Sequence, residues 1–394
     1  MNRLVFDLRA LHHNAATLNA WINNHGADWL VVTKVLCGHE PSLKALAALG
    51  VQTTGDSRLE NLSVVKKVMS REGQSSWYLR IPTPSVIQDV VKYSEVSLNS
   101  EISIIRKLNE EAKRQGKVHS VIIMIELGDL REGILPGSLV DFYQLAFDLP
   151  NIEVLGIGSN LGCMAGTVPT VDQFMQLVLY RELLELKFGK KLPYISAGSS
   201  STLPLVLDGQ LPKQINHFRI GEALFLGTDL INGGLLPGLR DDAFVLEAEV
   251  AELREKSLVP VGEVGTVTPF QHLPAEEQEE LNPGQRGYRA VINVGNLDTE
   301  VAGLTPENPA YRIAGASSDV TVVIVGEESP ELKVGDTMRF RLSYAALLRL
   351  MSNRYVTTVL KPPLEEMIAE LRQNYSTFSP PQVLESFESR VTPT

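Results

Sequence analysis

DWLVVTKVLCG, Asp28 to Gly38, is a short apolar, β-branched run that carries a lysine, Lys34, at its end and then becomes glycine-bearing and polar. Seven further runs of this kind follow: Val51 to Thr54, Trp77 to Ile81, Glu95 to Leu98, Val121 to Leu127, Val154 to Asn160, Tyr194 to Ala197 and Phe218 to Leu226. Runs of this length and composition read as strands. Between them lie segments with helical periodicity, among them Pro41 to Leu49, Arg58 to Ser70, Glu101 to Gln115 and Asp172 to Phe188. Strand and helix alternate eight times between Trp29 and Leu226. The alternation predicts an α/β fold built on a closed parallel (β/α)8 TIM barrel, with an open doubly wound sheet as the alternative.

Beyond a Gly-rich junction, Ile231 to Asp242, the pattern changes. FVLEAEVAEL, YRAVINVG, SSDVTVVIVG and DTMRFRLSY are separated by turn signals with little helix between them. This predicts a smaller, mostly antiparallel β domain. The expected division is a barrel over residues 1–233, a β domain over 234–360 and a tail over 361–394 with one helix, LEEMIAELRQNY.

Composition sets outer limits. The chain has 394 residues, 44% of them hydrophobic, enough for two cores. A formal charge of -11, from 36 basic and 47 acidic side chains, argues against nucleic acid or an anionic membrane as the main partner. No signal-peptide core or membrane-length apolar stretch is visible, so a cytoplasmic setting with Cys37 and Cys163 reduced is expected. The cysteines and histidines show no zinc spacing, and no metal is expected.

In a barrel of this kind the chemistry sits at the carboxyl ends of the strands. Reading those ends in order gives Lys34, Asp56 with Ser57, Asn99, Glu126 with Arg131, Asn160, Ser199 to Ser201, and Arg219 with Gly221. Singly, each has an ordinary explanation: a solvated lysine, a serine cap, an arginine in a structural ion pair. Together they put one lysine, a small-residue anion cradle and two arginines on one rim. SAGSSST offers backbone N–H groups and hydroxyls at a helix start after the seventh strand, and Gly221 permits close backbone approach after the eighth. Those two loops are the usual phosphate site of this architecture. A phosphorylated aldehyde held there with its carbonyl reaching Lys34 would be pyridoxal 5'-phosphate.

TKVLCG, ELGDLREGIL, GIGSNL, AGSSS, HFRIGEALFLG, GASSDVTVV and SYAALLRLMSNR, in this order from about Val31 to Val356, resemble the alanine/ornithine racemase family of pyridoxal-phosphate enzymes, and especially its ornithine racemase branch. The resemblance implies that Lys34 holds the cofactor as an imine and returns as an acid/base catalyst. It places Arg219 at the pyridine nitrogen and Asn160 behind the ring, where many relatives have histidine. Ser199 and Ser200, the main-chain N–H groups of Gly221 and Glu222, and Tyr344 would bind phosphate, with the Glu222 carboxylate turned away from the anion. Arg131 would stand near the cofactor's phenolic oxygen, as a catalytic and substrate-binding residue, and Ser318 of a partner subunit would meet the substrate carboxylate. The expected assembly is a homodimer with shared active sites. Arginine stays protonated, so Arg219 would keep the pyridine nitrogen unprotonated and disfavour transamination.

The sequence departs from the family pattern twice. Racemisation wants a second acid/base, a tyrosine in the family, and the corresponding stretch VPVGEVGTVTPFQH has Val267 at that count. Either Thr266, His272, Ser317 or Cys163 substitutes, or water serves one face, or the reaction is not racemisation. The family's carbamylated lysine is replaced by Met124, so Arg131 needs another partner, with Glu126, the acid nearest that position, as the choice. The expected function is racemisation of an amino acid, ornithine or a related one, with Asp129 and Glu132 as candidates for the distal ammonium. The alternatives are an aldolase or decarboxylase on the same fold, or a non-catalytic cofactor-binding protein. An aldolase would want a late His and Cys or Asp metal pair, yet beyond Asp241 the chain has only His272 and no cysteine. The extra β domain speaks against the non-catalytic reading.

Overall fold

In the computed structural model, residues 2–69, 73–162, 166–259, 262 and 284–375 are described. Eight parallel strands close on themselves: β2 (Asp28–Val32), β3 (Thr53–Asp56), β4 (Ser75–Tyr78), β5 (Val96–Asn99), β6 (His119–Met124), β7 (Ile152–Gly158), β8 (Tyr194–Ser199) and β9 (His217–Ile220). β9 returns to pair with β2 in the register Leu30 to Arg219. The fold is therefore the closed barrel, not the open sheet.

Period two explains how the barrel fills. Leu30 and Val32, Val96 and Leu98, and Ile122 and Met124 are two apart on their strands, and with Trp77 and Tyr194 they form one buried cluster. Residues from strands on opposite sides of a ring can meet only inside it. His217 joins them, stacked on Trp77 with ring centroids 4.4 Å apart.

The predicted helices form at Glu40–Ala48, Leu59–Val68, Ile102–Arg114 and Val171–Phe188. The last begins with a capping box between Thr170 and Gln173 and ends at Gly189, whose φ of 61° closes the final turn. Several strand ends differ from the expectation, two of them at the site. β2 stops at Val32, and the run Phe218 to Leu226 divides at Gly221 into β9 and a short helix, Glu222–Leu226.

The molecule divides into two compact units, residues 11–240 with 364–394, and residues 1–10 with 241–363. This differs from the expected boundaries at both ends of the chain. β1 (Arg3–Asp7) pairs antiparallel with β10 (Phe244–Ser257) and parallel with β16 (Thr357–Lys361), and Phe6 stacks on Phe244 at 4.1 Å. A five-residue strand needs partners for its backbone groups, and the β unit supplies them. The sheet continues as β12 (Leu304–Pro306), β15 (Thr337–Leu342), β10, β11 (Arg286–Ile292), β14 (Thr321–Gly326) and β13 (Arg312–Ala316). The tail helix Leu364–Tyr375 belongs to the barrel unit, where it packs against Glu40–Ala48. Among the described residues no helix is long and apolar enough to cross a membrane.

Candidate active site

Thr33 leaves the strand with φ −90° and ψ −1°, and Lys34 opens the helical turn that follows. Two bonds clamp this turn. The Thr33 N–H donates to the Gly55 carbonyl at 2.9 Å, and its hydroxyl donates to Asp56 Oδ2 at 2.9 Å. Asp56 is fully buried, and burial pushes its carboxyl up against the opposing pull of its hydrogen bonds. Lys34 therefore starts from a fixed base and carries an exposed side chain.

Arg219 lies on the strand next to that of Lys34 and is 7% exposed. Its Nη1 donates to the Ser196 carbonyl and to Ser196 Oγ at 2.6 Å, and its Nη2 donates to the Ser159 carbonyl at 2.9 Å and to Asn160 Oδ1 at 2.7 Å. Because Ser196 Oγ accepts from a guanidinium, its own proton points to His217 Nδ1 at 2.8 Å. His217 is then a neutral acceptor, in agreement with a pKa pushed down to about 3 by burial and by the Arg219 charge. Ser196 and His217 were not among the predicted site residues. The spacing held a signal, since His217 stands two before Arg219 on one strand and shares its face.

The cradle loops meet. Ser200, 6% exposed, accepts the Ala223 N–H on its Oγ at 3.2 Å, so the loop after β8 touches the helix start after β9. Ser199 Oγ lies 2.7 Å from Ser201 Oγ, which donates to the Leu161 carbonyl at 2.9 Å. A Cβ on Gly221 would stand 3.1 Å from the Val32 Cβ, which brings the Gly221 backbone against the strand that leads to Lys34. N–H groups of a first helical turn have no partner within the helix. Those of Gly221 and Glu222, the Ser200 hydroxyl and the Lys34 ammonium form a donor set suited to a phosphorylated aldehyde. Burial pushes the Glu222 carboxyl up to about 7, and the Lys34 charge pulls it part of the way back.

The loop after β6 is wound round Glu126, whose carboxylate accepts from the backbone N–H groups of Gly128, Leu130 at 3.1 Å and Arg131 at 3.0 Å. Gly133 has φ 154°, and a Cβ there would stand 2.3 Å from the Glu126 nitrogen. Glu126 is thus the loop's scaffold, and the expectation that it pairs with the Arg131 side chain is corrected. Arg131 pairs with Glu132 instead, Nε to Oε2 at 2.8 Å and Nη2 to Oε1 at 2.6 Å. Asn160 also donates to Glu132. Asp129 is 1% exposed and accepts from Thr167 at 3.5 Å, so it is no surface carboxylate. Met124 is fully buried in the barrel.

Two predicted residues lie in the β unit. Tyr344 opens the helix Tyr344–Ser352, behind the cap Ser343. Ser318 sits in the turn between β13 and β14, where its hydroxyl donates to Asp319 at 2.8 Å. Ser317 is occupied with that turn, accepting from the Asp319 and Val320 N–H groups at 3.3 and 3.2 Å. Cys163, Thr266, Val267 and His272 fall outside the described residues.

Comparison with known proteins identifies the family. The alanine racemase N-terminal domain matches residues 6–229. An ornithine racemase of Acetoanaerobium sticklandii is 35% identical over 90% of this chain and 98% of its own. A lysine racemase of Thermotoga maritima is 32% identical over 92% and 99% respectively. Among solved structures, alanine racemase from Bartonella henselae with covalently bound pyridoxal phosphate superposes with a TM-score of 0.68 at 16% identity, covering 91% of this chain and 99% of that one. The chain belongs to the alanine racemase family and is a pyridoxal-phosphate-dependent amino-acid racemase.

Proposed function

We propose that the substrate is a basic α-amino acid of the ornithine or lysine type and that the reaction takes place at the barrel rim between Lys34, Arg131 and Arg219. The observation that carries the site is the pairing of β9 with β2, which sets a buried guanidinium and the clamped Lys34 turn on adjacent strand ends. Bound pyridoxal phosphate supplies the electron sink that acidifies the substrate Cα–H. Lys34 moves that proton on one face. Arg219 donates to the ring nitrogen and Asn160 backs the ring. Ser199, Ser200 and the Gly221 and Glu222 N–H groups hold the phosphate. Arg131 meets the phenolic oxygen and the substrate carboxylate, beside Ser318 of a partner subunit.

The substrate class is supported by the names of the two relatives. Glu132 already serves Arg131 and Asn160, which turns the search for the distal ammonium's partner away from it. A cytoplasmic homodimer is the matching assembly, and sedimentation of the active species tests it. For the reaction, the holoenzyme is incubated in D2O with L-ornithine, L-lysine and L-alanine, and separate enzyme is reduced with borohydride and mapped. Loss of optical rotation with Cα deuteration for the basic substrates, and a pyridoxyl label on Lys34, are expected. A label on another lysine, or exchange confined to alanine, would overturn the assignment.

A further inference from the structure

The two arginines of the site are joined by hydrogen bonds whose directions chemistry fixes. A guanidinium can only donate, so Asn160 must turn its Oδ1 to Arg219, at 2.7 Å. Its Nδ2 then faces the other way and donates to Glu132 Oε1. The same carboxylate receives both Arg131 bonds, and its side chain is 14% exposed. On the inner side, the acceptors that Ser196, Ser159 and Asn160 offer Arg219 are all neutral. The Asn160 amide thus lies between a buried cation and a carboxylate, with its dipole aligned to both. Such an arrangement polarises each bond in the chain and strengthens it.

Building on the site reading above, we propose that Glu132 is a positioning residue for both arginines: it holds Arg131 directly and, through the Asn160 amide, fixes and balances Arg219 at the ring-nitrogen end of the cofactor. Glu132 takes this place because it follows Arg131 in a loop already wound round Glu126, which leaves its carboxylate facing the end of β7. What happens at the substrate-carboxylate end is therefore felt at the ring nitrogen.

The test compares wild-type holoenzyme with Glu132→Gln, Glu132→Asp, Asn160→Ala and the double variant Glu132→Gln/Asn160→Ala. The readout is the fraction of turnovers that end in pyridoxamine phosphate, the amino group passing from substrate to cofactor with release of a 2-oxo acid. This partition depends on Arg219 at the ring nitrogen, and a merely structural role for Glu132 does not move it. Glu132→Gln and Asn160→Ala are each expected to raise it roughly tenfold, with the double variant no worse than either single one, as for residues acting in series. Glu132→Asp restores most of the wild-type partition. A second readout is the pH titration of the bound cofactor's visible absorption, whose midpoint falls by roughly one unit in Glu132→Gln because a nearby anion is lost. An unchanged partition in Glu132→Gln, or multiplicative effects in the double variant, overturns the proposal. A rise in KM alone, with partition and spectrum unchanged, also overturns it by showing that Glu132 serves Arg131 only. A wild-type enzyme without cofactor on Lys34 would instead overturn the site reading beneath it.

Discussion

The loop after β6 and the strand β9 each bring an arginine to the same barrel, and the two are held in opposite ways. Arg219 rises from the strand itself, is 7% exposed, and is held by the neutral acceptors of β7 and β8 and their ends. Arg131 stands on a loop with its side chain 28% exposed and is gripped by a carboxylate beside it in sequence. The difference matters energetically. A buried cation without its hydrogen bonds is costly to the fold, whereas a rim ion pair contributes little to stability and is open to exchange with an incoming anion. One arginine is thus built into the scaffold, and the other is a group that can change partners.

Arg219→Met should break this contrast with the largest effect. The methionine fills part of the space but leaves Ser196 Oγ, the Ser159 carbonyl and Asn160 Oδ1 without the guanidinium, the Ser196 carbonyl keeping the Ser159 N–H at 3.3 Å. A loss of about 3–5 kcal/mol is expected. Urea unfolding followed by circular dichroism measures it, and a change below about 1 kcal/mol would mean that water replaces the guanidinium and that Arg219 is not part of the scaffold.

The same contrast explains what could be read from the sequence. The barrel was legible because each strand is a local apolar run, and Lys34, Ser200, Arg219 and Gly221 stood out as candidates because they lie in such runs or just after them. The partner of Arg131 was not. Three acids, Glu126, Asp129 and Glu132, lie within one loop, and the backbone path through Gly128 and Gly133 decides which of them meets the Arg131 side chain; sequence order alone does not tell Glu126, which the loop's N–H groups take up, from Glu132, which the guanidinium takes. β1 was missed for another reason: RLVFD is too short to declare itself, and its partners β10 and β16 lie at the far end of the chain.

Carboxylates follow the contrast as well, at a smaller scale. Glu126 and Glu132 are matched by donors, while burial pushes Glu222 up to about 7 with only partial relief from Lys34. Its folded-state pKa lies above the ordinary 4.5, so the folded protein binds the extra proton. Its stabilising contribution is fully present below pH 4.5 and is lost as pH rises through about 7. Glu222→Gln should remove this dependence. Apoprotein of the variant should match wild type at pH 4.5 and exceed it at pH 8 by on the order of 2 kcal/mol, allowing for partial exposure. Parallel stability curves across that window would show that the carboxyl is relieved by another group.

The smallest effect on the fold is expected at the other arginine, and it is the one that sharpens the comparison most. Arg131→Ala removes an ion pair whose acid keeps a second donor in Asn160 and whose loop remains wound round Glu126. Unfolding should shift by no more than about 1 kcal/mol. Function should respond differently. If the guanidinium leaves Glu132 to meet the substrate carboxylate, the loss of a charge-assisted bond raises KM by roughly ten- to a hundredfold. Raised ionic strength should weaken substrate binding in wild type and have less influence in the variant, since the attraction it screens is gone. The measurement is the initial rate over a substrate range at two salt concentrations. A variant with unchanged KM but a fold weakened as much as Arg219→Met would reverse the assignment, making Arg131 the scaffold.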